Sequence, residues 1–273
     1  MATATQVEGK VQHLDHFVLP VMEPERAEKF YTEILGARVL SKVVDPGLTR
    51  IFAKVGQNHV GLFSQSKAVI PKRETVDSYP RCAFLLPEAG FEAAASKVRR
   101  MSGLVKETGD EKGCGLGRGL VFTDSEGNLL EIFRGDKERA TRVHHLHFDT
   151  LGLEESIEFY TSILRLELLK RTGGIAVLGI PAGQTLVLHE VKELSEVTKT
   201  AYRGRHFAFY VSDDDFHAIV EKLHRAGIEE RDEHGEREGR RPGQLGTYFK
   251  DPSGFRVQIA NEDSSAFARQ HAA

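Results

Sequence analysis

Histidines recur in this chain at matching places. Leu14-Asp15-His16-Phe17 is followed, fourteen residues after the histidine, by Phe30-Tyr31-Thr32-Glu33-Ile34-Leu35. Val143-His144-His145-Leu146 is followed at the same distance by Phe159-Tyr160-Thr161-Ser162-Ile163-Leu164. An imidazole held on a strand can bind a divalent ion or carry a proton near neutral pH. A second pair of landmarks joins these: Arg81-Cys82-Ala83-Phe84-Leu85-Leu86 matches His206-Phe207-Ala208-Phe209-Tyr210-Val211. Each of the two is followed by a closing segment, one running from Val121 to Glu131 and the other from Tyr248 to Gln258. Spacing kept through an aromatic pair and an Ile-Leu pair marks duplication, with units starting near residues 11, 79, 142 and 204.

The elements that position these residues follow from periodicity. Each unit opens with a strand-like apolar run and then changes period. Ala27, Phe30, Tyr31 and Ile34 share one helical face, as do Phe91, Ala94, Ala95 and Val98, then Ile157, Phe159, Tyr160 and Ile163, and finally Phe216, Ile219, Val220 and Leu223. Short apolar runs follow, at Val39-Leu40, Arg50 to Ala53 and Val60 to Phe63 in the first unit, and at Leu166 to Leu169, Ile175 to Leu178 and Leu186 to Leu188 in the third. Asp124-Ser125-Glu126-Gly127-Asn128 and Asp251-Pro252-Ser253-Gly254 are hairpin turns, in which glycine supplies the positive φ and Asp or Pro presets the bend. The unit reads βαβββ.

Four tandem βαβββ units, one of them closed by Asp124-x-x-Gly127-x-x-x-Glu131, resemble the vicinal oxygen chelate superfamily of glyoxalase I, type I extradiol dioxygenases and the fosfomycin- and bleomycin-resistance proteins. The resemblance covers residues 11 to 262. It implies an α+β fold in which pairs of units form two half-open mixed-sheet barrels. Taken in chain order, residues 1-138 hold the N-terminal pair (about 11-65 and 79-135) and residues 139-273 the C-terminal pair (about 142-190 and 204-262).

The resemblance also implies metal ligands on the first strand of each unit and on the last strand. In chain order one set is His16, Arg81 and Glu131, and the other is His145, His206 and Gln258. The underlying pattern is a facial triad of two imidazoles and a carboxylate that holds Fe(II) or Mn(II) and leaves positions open. A guanidinium has no lone pair to give, so Arg81 is no ligand, and the set with His16 and Glu131 is expected to be degenerate. Arg81 could instead pair with Glu131 in place of a metal, or turn into solvent at the strand end. His59, on the same face of its strand as Gly61, approaches the place of an acid-base histidine or supplies a missing ligand.

The metal set expected to function is therefore His145, His206 and Gln258. Tyr248, ten residues before Gln258, inherits the role of the tyrosine that hydrogen-bonds the metal-bound substrate in extradiol enzymes. Two departures stand out: Gln258 replaces a carboxylate, though a glutamine carbonyl can coordinate, and Gly239-Arg240-Arg241-Pro242-Gly243 replaces the histidine upstream of the tyrosine. Unit pairing is open. If unit one pairs with unit four, His16 joins His206 and Gln258, and His145 joins Arg81 and Glu131. Alternation puts His144 on the face opposite His145 and His147 on the same face, where it could line the pocket. The charged run Glu229 to Arg241 lies where the family places a flap, and Arg241 with Arg240 would bind an anionic substrate there.

Composition bounds the rest. Net charge −3 and pI near 6.5 give no reason to expect nucleic acid or a membrane surface as partner. Two cysteines, Cys82 and Cys114, and the lack of any membrane-length apolar stretch point to a cytoplasmic protein with reduced thiols. The expected partner is a small aromatic or vicinal-oxygen molecule, with a homo-oligomer allowed. The expected activity is extradiol-type ring cleavage of a catechol-like compound with a divalent metal, Fe(II) or else Mn(II). The alternatives are a glyoxalase-like isomerase or lyase and a metal-free binder of the bleomycin-resistance kind.

Overall fold

The computed structural model describes residues 9–56, 58–64, 75–77, 79–109, 116–135, 141–196, 198–199, 205–231 and 246–261. The first unit is β1 (His13–Val21), α1 (Pro24–Leu35), β2 (Arg38–Asp45), β3 (Leu48–Val55) and β4 (Asn58–Ser64). The second is β5 (Arg81–Leu86), α2 (Glu88–Met101), β6 (Val105–Thr108), β7 (Gly119–Thr123) and β8 (Leu129–Arg134). The third is β9 (Arg142–Thr150), α3 (Leu153–Ser162), β10 (Glu167–Thr172), β11 (Ile175–Ile180) and β12 (Gln184–Glu190). The fourth contributes β13 (His206–Tyr210), α4 (Asp213–Arg225), β14 (Gly246–Lys250) and β15 (Arg256–Ala260), and among the described residues Arg231 bridges to Tyr248 where its remaining strand is expected.

Local sequence explains the helix boundaries. Pro24 starts α1, and Gly36 ends it in the left-handed region at φ 64°, its N–H donating to the Tyr31 carbonyl. Ser212 caps α4 by accepting from the Asp215 N–H. Three aspartates in that first turn and Lys222, His224 and Arg225 in the last complement the helix dipole.

The described strands form two open sheets, with no closed barrel among the described residues. One runs β14-β15-β13-β1-β4-β3-β2 and the other β10-β11-β12-β9-β5-β8-β7-β6. Unit one is thus paired with unit four through antiparallel β1 and β13, and unit two with unit three through antiparallel β5 and β9. Each chain-order half contributes strands to both sheets. What chain order does keep together is back-to-back packing. Tyr31 of unit one donates to Asp124 of unit two at 2.9 Å, and Tyr160 of unit three donates to Asp251 of unit four at 2.9 Å. The Glu126 carboxylate accepts from the Met22 and Glu23 N–H groups just ahead of α1.

One continuous core fills the space behind the sheets. Phe17 of β1 meets Phe84 of β5, and Phe148 of β9 meets Phe207 and Phe255, with centroids 4.3–5.9 Å apart. Alternation then puts polar residues on the opposite face of each sheet, where in the second sheet they lie among two smaller apolar clusters, Ala83 with Leu85 and Phe133, and Val121 with Val76 and Leu129. That face carries His16, His59, His206, Tyr248 and Gln258 in the first sheet, and Arg81, Glu131, His145 and His147 in the second. Asn58 ties the sheets together, donating to the Leu14 carbonyl at 2.8 Å and accepting from the Val143 N–H at 3.1 Å.

Candidate functional site

In the first sheet the register places His59, His16, Ala208, Gln258 and Tyr248 side by side across five strands, with His206 one pleat away from Ala208. His16 Nε2 and His206 Nε2 face each other at 3.3 Å. Two imidazole nitrogens about 2.1 Å from one divalent ion and about 100° apart at it would stand about 3.2 Å from each other. The donors fit such an ion in other respects. Burial, then the nearby His16 and Arg256, push the His206 imidazole well below its usual pKa, so it offers a lone pair at neutral pH. The Gln258 Oε1 is buried and has no hydrogen-bond partner among the described residues. A neutral amide oxygen in that state is a ready ligand for a cation.

A β-bulge supplies the support for His16. The β1 register to β13 shifts between Leu14 and His16, which makes Asp15 the extra residue and turns its carboxylate toward the same cup. His16 Nδ1 lies 2.6 Å from Asp15 Oδ2. A proton on Nδ1 fixes the tautomer and leaves the Nε2 lone pair aimed at His206. The other oxygen of Asp15 is 3.5 Å from His59 Nδ1. The Tyr248 ring stands edge-on to His206 at 5.2 Å, with the Arg256 guanidinium 4.2 Å over its face. Gly61, beside His59, has no room for a side chain, because a Cβ there would lie 2.7 Å from Val18.

The second cup is built differently. Glu131, His145 and His147 are all buried, and one ligand atom from each lies within 4.8 Å of the others, a His/Glu cluster with the makings of a metal site. Arg81 pairs with Glu131 Oε1 at 2.5 Å and also donates to the Val76 carbonyl at 2.7 Å. His145 Nε2 is 3.2 Å from Glu131 Oε2. Burial works to raise the Glu131 carboxyl, but the His145 contact, His147 and Arg81 together outweigh it and hold it well below the usual carboxylate range.

The chain-order grouping of His145 with His206 and Gln258 is not what the fold assembles. His145 lies in one sheet, and His206 and Gln258 lie in the other with His16. Alternation also failed for His144. In the pairing of β9 with β5, His145 meets Ala83 and Val143 meets Phe84, so His144 is the bulged residue, and its Nδ1 comes within 3.0 Å of His145 Nδ1. Asp15 and His144 therefore hold equivalent places beside His16 and His145. Asp15 and the relation of His147 to Glu131 both escaped the sequence reading, although the repeated position of Asp15 and His144 was a signal for it. Arg241 and Arg240 lie outside the described residues.

Two cups of tandem βαβββ units, each floored by histidines with a carboxamide or a carboxylate, define a class of small-molecule proteins that typically depend on a divalent metal. The chain belongs to the Glyoxalase/Bleomycin resistance protein/Dioxygenase superfamily, whose model matches residues 13–132 and 142–259. It is similar to the metallothiol transferase FosB of Lysinibacillus sphaericus (strain C3-41), with 27% identity over 122 residues, 43% of this chain and 79% of that protein. Glyoxalase I from Zea mays shares the fold at TM-score 0.65 and 23% identity, covering 95% of both chains. A Bacillus subtilis strain 168 protein provisionally described as a dioxygenase shares it at TM-score 0.70 and 16% identity, covering 92% of this chain and 85% of that one. Among the described residues no helix is long and apolar enough to cross a membrane.

Proposed function

We propose that this chain is a metal-dependent enzyme of the extradiol dioxygenase type, cleaving a catechol-like molecule in the cup formed by units one and four. The observation that carries this reading is that His16 and His206 meet on the same sheet face as Gln258, whose buried carbonyl oxygen has no hydrogen-bond partner among the described residues, with His59 and Tyr248 flanking them in register. A bound divalent ion, Fe(II) or Mn(II) on this reading, supplies a Lewis-acidic centre that lowers the pKa of adjacent substrate hydroxyls. His16, His206 and Gln258 would hold it. His59 Nδ1 is 3.5 Å from Asp15, which would stabilise the imidazolium formed when His59 takes a substrate proton. Tyr248, beside His206, would donate its hydroxyl to a substrate oxygen.

A second reading, metal-dependent isomerisation or group transfer, is favoured by one specific feature. Gln258 gives the site no anionic ligand, which suits Lewis-acid chemistry better than redox chemistry at the ion. The FosB likeness supports the same reading. The experiment that separates the readings reconstitutes the protein anaerobically with Fe(II) or Mn(II) and follows oxygen uptake over a panel of catechols, with His206→Ala and His59→Gln beside the wild type. Oxygen consumption abolished by His206→Ala and lowered about 10²-fold or more by His59→Gln is expected. Retained metal with no oxygen uptake on any catechol would move the assignment to isomerase or transferase chemistry.

A further inference from the structure

The second cup resolves a contradiction that its sequence poses. Arg81 stands where the first strand of unit two ought to present a ligand, and a guanidinium cannot be one. Yet Arg81 takes up one oxygen of the Glu131 carboxylate and leaves the other to His145. Its guanidinium is drawn aside to the Val76 carbonyl and lies 4.6 Å over the Tyr79 ring. Of the Glu131 carboxylate it holds Oε1, while Oε2 faces His145 Nε2 at 3.2 Å. That separation repeats the 3.3 Å between His16 and His206 and suits two donors on one ion. The strand pairing then supplies a third donor. His147 is the residue directly opposite Arg81 across β5 and β9, and it shares a face with His145 two residues before it.

We propose that Glu131, His145 and His147 form a second metal centre, in which His147 supplies, from the neighbouring strand, the ligand that Arg81 does not. Arg81 acts here as a positioning residue: it fixes the distal oxygen of the carboxylate so that the other oxygen is presented as a single ligand atom. Hydrogen-bonded carboxylate ligands of this kind are ordinary in metal sites. His144 Nδ1, 3.0 Å from His145 Nδ1, orients the imidazole from behind as Asp15 orients His16. The chain would then carry two unlike centres, His-His-Gln in one cup and His-His-Glu in the other. The second centre differs in having one anionic ligand, itself paired with a guanidinium. It does not depend on the ring-cleavage reading of the first cup.

The test uses the full chain stripped of metal by chelator and titrated with Co(II) alone, read by bound-metal analysis and by the ligand-field absorption band. Wild type, His147→Ala, His206→Ala and Arg81→Met are compared, with near-ultraviolet circular dichroism as the folding control. Two equivalents in the wild type, falling to one in His147→Ala and to a different one in His206→Ala, are expected, with affinity at the affected centre lowered about a hundredfold or more. One equivalent that survives His147→Ala but is lost in His206→Ala overturns the second centre and leaves the first cup's reading standing. One equivalent with the opposite dependence supports the second centre and sinks the reading of the first. A wild type that binds one equivalent and an Arg81→Met variant that binds two would show that Arg81 replaces the metal, which also overturns the proposal. Should His147→Ala fail to fold, His147→Gln keeps the volume and serves the same comparison.

Discussion

Asp251 opens the turn between β14 and β15 and is buried there. Its Oδ1 accepts from the Ser253 and Phe255 N–H groups at 3.0 and 2.7 Å, and its Oδ2 accepts from the Tyr160 hydroxyl at 2.9 Å. Burial opposes these bonds and wins, raising the carboxyl from 3.8 to about 6. A folded pKa above the unfolded value means that the folded state binds the proton more tightly. The stability contributed is therefore full below about pH 4 and is lost as the pH rises through 6. The loss amounts to about 3 kcal/mol, at about 1.4 kcal/mol for each tenfold change in proton affinity. Asn at this position keeps an oxygen for the two N–H groups and turns its amide toward the tyrosine oxygen, which can accept, so the turn survives without a titrating group. Urea unfolding of wild type and Asp251→Asn at intervals from pH 4 to 7.5 isolates the effect, because every other group titrates in both. The Asn variant should gain up to about 3 kcal/mol on the wild type across that range. A difference between the two proteins that does not change with pH would refute the reasoning.

Two further outcomes follow from named contacts. Asn58→Ala strips a partner from the Leu14 carbonyl and the Val143 N–H, both buried where the two sheets meet, and should cost about 2–4 kcal/mol, read as a lower urea midpoint at unchanged slope. Asp15→Asn removes the anion at His16 Nδ1 and should weaken Co(II) binding at the first cup by about 10–100-fold, with binding at the second cup unchanged in the same titration.

The repeat, the βαβββ order and the superfamily were legible because each rests on local periodicity. The apolar face of α1 and the Asp-x-x-Gly turns need no knowledge of distant residues, and Phe30, Tyr31, Phe91 and Phe216 are buried as their spacing predicts. The conflict at Arg81 was legible too, since it depends only on what a guanidinium can do, and so was the pairing with Glu131 as one of its outcomes.

What the sequence could not decide is which histidines meet. A first strand exposes the same backbone donors and acceptors whichever unit lies beside it, so hydrogen bonding alone does not distinguish β1 with β13 from β1 with β5. The choice falls to long-range packing: Asn58 bridging Leu14 and Val143, the Phe17–Phe84 and Phe148–Phe207 contacts behind the sheets, and the Tyr31–Asp124 and Tyr160–Asp251 pairs. Alternation likewise holds only while a ladder runs unbroken. Two bulges break it at Asp15 and His144, each turning a side chain onto the face that period two would deny it. The residue types of both cups, and the chemistry open to them, were thus fixed by the sequence. Their grouping into His16 with His206 and Gln258, and into Glu131 with His145 and His147, was settled only by tertiary structure, because strand pairing and bulge geometry are set between residues far apart in the chain.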